Sequence, residues 1–315
     1  MNTELSEKTS VRFVDIETET VGQRLDNFLL KIFKTVPKSR IYRIIRKGEV
    51  RVNRKRAKAE YKLVLGDQIR IPPIRIDNDE SRVFAIPDRV KQLVETSILV
   101  NNKNFIVINK PPGLAVHSGS GIEYGVIDVM RSLYPDRNME LVHRLDRDTS
   151  GCLMIASGRQ ALVQMQKALQ ENQIRKSYVA LVHGRWPDNL LDIKHPLRKF
   201  TLENGERRVR VDPQGQESHT RITTLEHFKD CSRLNIELLT GRTHQIRVHC
   251  QQTEHEVIGD NKYGNKEVNR KFKHKGSKRL YLHASCLEFP DVSFMADQVI
   301  NAPIPDEFEQ LIANR

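Results

Sequence analysis

The chain has 315 residues, 38% hydrophobic and 29% charged, enough for one large packed domain and a small companion. No run reaches the roughly 18 apolar residues of a spanning helix. The opening MNTELSEKTS lacks a secretory signal's apolar core, and four scattered cysteines (Cys152, Cys231, Cys250, Cys286) without a CxxC pair argue against a disulfide framework or zinc site and for a reduced cytoplasmic setting.

The net charge of +12 and the pI of about 9.6 favour a polyanionic partner. The excess is local. Between Gly22 and Ile76 sixteen Lys or Arg stand against four acids, Asp26, Glu49, Glu60 and Asp67, and the rest of the chain sums to about zero.

Residues 1–20 are polar and slightly acidic, a short strand or loose arm. Leu25, Phe28, Leu29 and Ile32 then recur at helical spacing. A second helix is punctuated by Pro37 and Ser39 at its start and Gly48 past its end, with Ile41, Ile44 and Ile45 apolar. Arg40, Arg43 and Lys47 fall at i, i+3 and i+7 on another face of that helix. EVRVN reads as extended, and KLVLGDQIRI as a hairpin arm turning at Gly66-Asp67.

The mixed-charge stretch 77–96 reads as a linker, and FIVINK as a strand entering a turn at Pro111-Pro112-Gly113. HSGSGIEYG (117–125) is a glycine-rich turn. Further strands are expected at 151–156, 178–183, 220–226, 233–239 and 280–289, and helices around 159–171, 245–253 and 306–313. Strands outnumber helices and mix with them irregularly, which predicts an α+β fold with a mainly antiparallel sheet.

There is no GxxxxGK[ST] loop, no GxGxxG between a strand and a helix, and no HExxH, so nucleotide-driven, methyl-donor and zinc-hydrolase chemistry find no support. His143, His244, His249 and His283 are scattered and read as structural or substrate-facing. What remains is LVHRLDRDTSGCLMIA, where Asp146 sits among His143, Arg144 and Arg147 just before an apolar strand. Nearby cations favour a carboxylate's ionised form, as a nucleophile or base requires.

Two resemblances sharpen this reading. RLDNFLL, PKSRIYRIIRKGEVRVN and LGDQIRIPP resemble the S4 RNA-binding domain, which implies RNA docking by Arg40, Arg43, Arg46, Lys47, Arg51, Asn53, Arg54 and Lys55. HRLDRDTSG, KSYVALVHG and LLTGRTHQIRVH, in that order, resemble the signatures of the RluA-type pseudouridine synthase family. That resemblance implies Asp146 as the catalytic carboxylate, Tyr178 packed against the reacting base, and Arg247 paired bidentately with Asp146. Arg144 becomes a candidate to fill the space of a flipped base or grip a phosphate. Lys176 and Arg242 become candidate phosphate contacts.

The resemblance further implies a reaction without metal or nucleotide cofactor on 23S ribosomal RNA, by a cytoplasmic enzyme with no membrane partner, a monomer by default. Transfer RNA is the alternative substrate within the family, and a non-catalytic RNA-binding or ribosome-assembly factor the alternative outside it. The expected organisation is an arm (1–20), an S4-like domain (21–76), a linker (77–96) and a catalytic domain (97–315).

Overall fold

The computed structural model describes residues 11–17, 20–33, 36, 38–73, 86–119, 122–289 and 298–313. The expectations for MNTELSEKTS, Pro37, the first part of the linker (to 85) and the centre of the glycine-rich turn (120–121) lie outside them. The side chain of Ser39 is likewise outside. The chain divides into two compact units, Met1–Phe84 and Ala85–Arg315.

In the first unit, β1 (Arg12–Asp15), β2 (Arg51–Val52), β3 (Lys55–Arg56) and β4 (Gln68–Ile71) form an antiparallel sheet in the order β1-β4-β2-β3. Helices α1 (Leu25–Ile32) and α2 (Lys38–Lys47) share one core with it. Leu25, Phe28 and Leu29 bury one stripe of α1, and Ile41, Ile44 and Ile45 one stripe of α2, while Ile32 stays exposed. The supposed arm contributes a strand: β1 pairs with β4 along its whole length. The expected hairpin arm is shorter than its apolar pattern suggested. Lys62 makes only an isolated antiparallel bridge to Arg24, and the chain turns at Leu65-Gly66, where the buried Asp67 carboxylate takes hydrogen bonds from Asn53 Nδ2 (2.7 Å), the Tyr61 hydroxyl (3.0 Å) and the Val64 amide (2.9 Å).

The second unit is built on a ten-stranded sheet. Its elements are α3 (Asp88–Thr96), β5 (Ile98–Asn101), β6 (Phe105–Lys110), α4 (Val126–Leu133), β7 (Met139–Leu141), β8 (Ser150–Ser157), α5 (Arg159–Gln170) and β9 (Arg175–His183). There follow β10 (Asp192–Ile193), β11 (Leu197–Thr201), β12 (Arg207–Val211), β13 (Thr220–His227), β14 (Cys231–Leu238) and α6 (Gln245–Gln252). The chain ends with α7 (Lys266–His274), β15 (Leu282–Phe289), β16 (Gln298–Asn301) and α8 (Asp306–Ala313).

The strand order is β10-β13-β14-β9-β15-β8-β6-β5, with β7 beside β8 and β16 beside β15. Among the described strands only β8 and β15 run parallel. β11 and β12 form a separate hairpin. This is the α+β, mainly antiparallel architecture expected. Alternation along the strands divides the core between the two sheet faces. Tyr178, Ala180 and Val182 of β9 join the cluster holding α4 and the apolar side of α6, whereas Val179 and Leu181 join Phe272 of α7 and Phe308 of α8.

The tail of the expected linker is helical. Residues 88–96 form α3, whose Val94 is fully buried in the main core. The parallel junction brings β8 and β15 so close that a side chain at Gly151 (φ +108°) would overlap the Ala284 carbonyl. This glycine is the second residue of β8, just after the loop that carries Asp146.

Candidate active site

Asp146 lies in the loop between β7 and β8, and that loop is held from below by a cation. Lys110, at the end of β6, is completely buried. Its ammonium donates to the carbonyls of Pro111 (2.8 Å), Leu114 (2.9 Å) and Arg147 (2.9 Å). The Gly113 amide also donates to the Arg147 carbonyl (2.9 Å), so the PPG turn and the Asp146 loop are tied together next to Asp146 itself. Burial lowers the Lys110 pKa to about 7, with the charges of Asp148 and Asp146 opposing the shift. A lysine closing an apolar strand, just before a turn, was the available signal, and sequence reading passed over it.

Arg247 sits on α6, and α6 starts from a strained residue. His244 caps it at φ +56°, a left-handed conformation that costs a non-glycine residue on the order of 1–3 kcal/mol. Two side chains hold that turn. Gln245 accepts from the Thr240 hydroxyl (2.8 Å) and the Arg242 amide (3.0 Å) and donates to the His219 carbonyl (3.0 Å) and the Thr220 hydroxyl (2.9 Å). His244 Nδ1 is hydrogen-bonded to the Tyr263 hydroxyl (2.6 Å), and the two rings meet edge to face.

The arginine then reaches two carboxylates. Its Nη1 donates to Asp146 Oδ2 at 2.9 Å, while Nε and Nη2 both donate to Asp260, each at 2.7 Å. The expected bidentate partner is therefore corrected. The two-pronged bond goes to Asp260, and Asp146 receives a single prong. The reason is geometric, since a guanidinium clamped along one edge has only its remaining Nη free to point elsewhere.

Asp260 is further fixed by the amides of Lys262 (2.8 Å) and Tyr263 (2.9 Å), and the Tyr263 ring lies under the guanidinium at 5.1 Å. Burial opposes the charge on Arg247, but Asp260 and then Asp146 outweigh it, so its pKa is raised. Burial likewise opposes the charge on Asp260, and Arg247 with the two amides outweighs it, so the Asp260 carboxyl is held below its ordinary range.

Exposure separates the members of this chain of charges. The side chains of Asp260 and Arg247 are 1% and 8% exposed, against 24% for Asp146. Asp146 Oδ1 accepts no hydrogen bond among the described residues, and His244 Nε2 stands 3.7 Å from it. Tyr178 is buried beside the site. Burial, with the Asp146 charge adding to it, pushes its phenol pKa up.

Lys176 is half-buried; its ammonium reaches Gly241, where an added Cβ would lie 3.6 Å away, and its charge, behind burial, helps hold the His143 imidazole at about 3. Arg242 is exposed, with Nε donating to the Glu217 carbonyl (3.0 Å). A cavity of about 420 Å³ opens beside this turn, with Arg198, Lys199 and Arg242 in its wall. Arg144 is exposed on the Asp146 loop. Asp146, Tyr178 and Arg247 thus come together, with Lys176 of β9 reaching the neighbouring turn that carries Arg242. His249 is structural: its nitrogens meet the hydroxyls of Thr220 (2.8 Å) and Ser218 (2.9 Å). His283 likewise meets the Ser150 hydroxyl at 2.8 Å. Sequence reading missed Asp260 and Tyr263, which no spacing links to Asp146.

In the first unit Arg43, Arg46, Lys47, Arg54 and Lys55 are exposed and Arg40 is half-buried. Two of the expected RNA contacts, both exposed, also bond within the protein. Asn53 donates to Asp67 and accepts from the Gln68 amide (2.9 Å), locking the β2–β3 turn, whose Asn53 and Arg54 both have positive φ. Arg51 Nε donates to the Gly48 carbonyl (3.3 Å).

A sheet of this kind, with a half-exposed carboxylate set on a buried arginine, goes with clear relatives, and the chain belongs to the family of RNA pseudouridine synthases. The RNA pseudouridylate synthase family model matches residues 104–252, and the S4 domain model residues 23–69. Among curated relatives, Ribosomal large subunit pseudouridine synthase C of Pasteurella multocida is 44% identical over 99% of this chain and 97% of its own length. The protein of that name from Escherichia coli K12 is also 44% identical, over 98% and 97%. Among solved structures, human RNA Pseudouridylate Synthase Domain Containing 1 superposes with a TM-score of 0.57 at 26% identity, covering 69% of this chain and 86% of its own.

Proposed function

We propose that this enzyme converts uridines to pseudouridine in 23S ribosomal RNA, with Asp146 as the catalytic carboxylate. The observation that carries the proposal is the graded chain Asp260–Arg247–Asp146. Two buried members fix the third, which keeps one oxygen unbonded and partly exposed beside Tyr178. The 44% identity to ribosomal large subunit enzymes supports the choice of RNA.

In the reaction the C1′–N1 bond breaks, the uracil turns over, and C5 bonds to C1′. The proton on C5 is lost and N1 gains one, so the product is an isomer and the balance needs no oxidant, nucleotide or metal. Asp146 acts either by attacking C1′ or by taking a ribose proton. Arg247 orients it through Nη1. Tyr178 supplies a flat wall for the base and a hydroxyl near C5. A stacked uridine must first leave its helix, at a cost of a few kcal/mol, and Arg144, exposed on the Asp146 loop, is our candidate to fill the vacated place or grip a phosphate. The exposed cations of α2 and the β2–β3 turn hold RNA by its phosphates.

The test is tritium release from [5-³H]uridine-labelled 23S rRNA without added cofactor, for wild type and Asp146→Asn. Release by wild type alone is expected. Release by both would remove Asp146 from the chemistry. Release from labelled tRNA but from neither rRNA nor assembly particles would transfer the proposal to tRNA.

A further inference from the structure

We infer that helix α7 presents a second RNA-backbone contact surface, on the catalytic unit, built from Lys266, Arg270 and Lys273. The inference rests on the RNA-modifying function proposed above. It starts from a charge distribution that the sum over the unit conceals. Between Asn265 and Arg279 seven cations stand against the single acid Glu267.

The structure sorts the helical cations into two sets. Phe272 is buried and Val268 packs beside it, which fixes the inward face of α7. Lys271 and Lys275, one turn apart, both reach Asp230, at 3.3 and 2.5 Å. Lys266, Arg270 and Lys273 fall at i, i+4 and i+7 on a separate stripe. All three are exposed, and among the described residues none of their side chains makes a hydrogen bond or ion pair.

Such a stripe is unfavourable by itself. The helical rise sets its three charges about 10 Å apart end to end, with neighbours closer than the Debye length of about 8 Å at physiological ionic strength. Like charges at these spacings destabilise a helix, and Lys266 in the first turn also opposes the helix dipole. A polyanion would reverse the sign of both effects. RNA is the polyanion this protein has reason to meet.

The position of the helix adds a second argument. Asn269, within the stripe's span, accepts from the Gly259 amide (3.1 Å) and donates to the Asp260 carbonyl (2.8 Å). Asp260 is the residue that clamps Arg247 behind Asp146. RNA held on α7 is therefore in register with the reacting carboxylate through four bonded residues, Asn269, Asp260, Arg247 and Asp146.

The experiment compares two double variants of the full chain with the same charge loss: Arg270→Ala/Lys273→Ala on the open stripe, and Lys271→Ala/Lys275→Ala on the Asp230 side. Affinity for transcribed 23S rRNA is measured across a KCl titration. The stripe variant should bind roughly tenfold or more weakly, with a salt slope shallower by about 1.5, and the Asp230-side variant should stay close to wild type. Equal losses in both would mean a diffuse field, and no loss in either would mean a solvated helix or a face for another partner. Either result overturns the inference. Should the stripe variant fail to fold, Lys266→Glu reads the same slope from one exposed residue. Because affinity is measured without chemistry, a wild type that binds but forms no pseudouridine would sink the proposed function and leave this test intact.

Discussion

Replacing Asp260 by Asn removes one charge from a salt bridge that is almost completely buried, with the carboxylate 1% and the guanidinium 8% exposed. Arg247 would keep its charge but lose the anion that takes two of its bonds; the amide oxygen can accept only one of them, and the single prong to Asp146 remains. Breaking a buried pair from one side costs about 3–5 kcal/mol, because the surviving ion stays desolvated and unpaired. In a unit of about 230 residues that corresponds to a melting temperature lower by roughly 10 °C. The guanidinium should also shift toward Asp146, and a displacement of about 1 Å at the reacting group can cost on the order of a hundredfold in rate. Urea denaturation and single-turnover pseudouridine formation at saturating rRNA would read the two effects. The expected signature is a slower single-turnover rate together with a lower urea midpoint. Asp146→Asn is the internal contrast. It touches a partly exposed residue with one bond, so turnover should vanish while stability changes by less than about 1 kcal/mol. If Asp260→Asn unfolds at the wild-type urea midpoint and turns over within twofold of wild type, the support of Arg247 by Asp260 is refuted.

Two further outcomes follow from buried titratable groups. Lys110→Met leaves three carbonyls without their donor, at about 1–3 kcal/mol each for a buried acceptor, so the variant should be several kcal/mol less stable at neutral pH. Its pH profile should also change sense. With a folded pKa of about 7 against 10.5 unfolded, wild-type Lys110 sheds its proton in the folded chain first, so its contribution to stability rises by about 2 kcal/mol between pH 7 and 9. Urea midpoints across that range should lose this rise in the variant, and an unchanged profile would contradict the assignment. His249 and His283 are fully buried and held near 4 by burial. The unfolded chain takes up these protons near 6.5 and the folded chain only near 4, so stability falls by about 2–3 kcal/mol per histidine as pH drops through that window and is intact above it. His283→Gln should flatten the acid limb by one such increment in urea titrations between those two pH values; an identical limb would show that His283 is not buried neutral.

What could be read from sequence follows the strength of local pattern. β6, β8, β9 and β14 were legible because continuous or alternating apolar residues face two cores. α1 and α2 were legible through their buried stripes. α3 was read as linker because only Val94 is fully buried in it, and a single apolar anchor produces no period. The β11–β12 hairpin escaped for a related reason: its strands carry five exposed or half-exposed Arg and Lys and bury only Leu197 and Val209. Helix α7 was not among the expected helices, because its four Lys and Arg leave only Val268 and Phe272 to mark an inward face. At the site, Asp146, Tyr178 and Arg247 were found through short motifs that fix residue identity. Asp260 and Lys110 act through bonds to backbone and to other motif residues, and such partners are defined only by the tertiary fold.

The place of β15 in the sheet has a consequence for the order of assembly. It lies between β8 and β9, which are made more than a hundred residues earlier, so these neighbours wait for residues 282–289 before they are joined. Asp146 precedes its arginine by 101 residues, or roughly 5–20 s of synthesis at about 5–20 residues per second. The first unit has by then been complete for longer still, and its sheet needs no strand from beyond Ile71. A nascent chain can thus acquire its RNA-gripping module well before its carboxylate has a guanidinium to lean on, so capture matures ahead of chemistry.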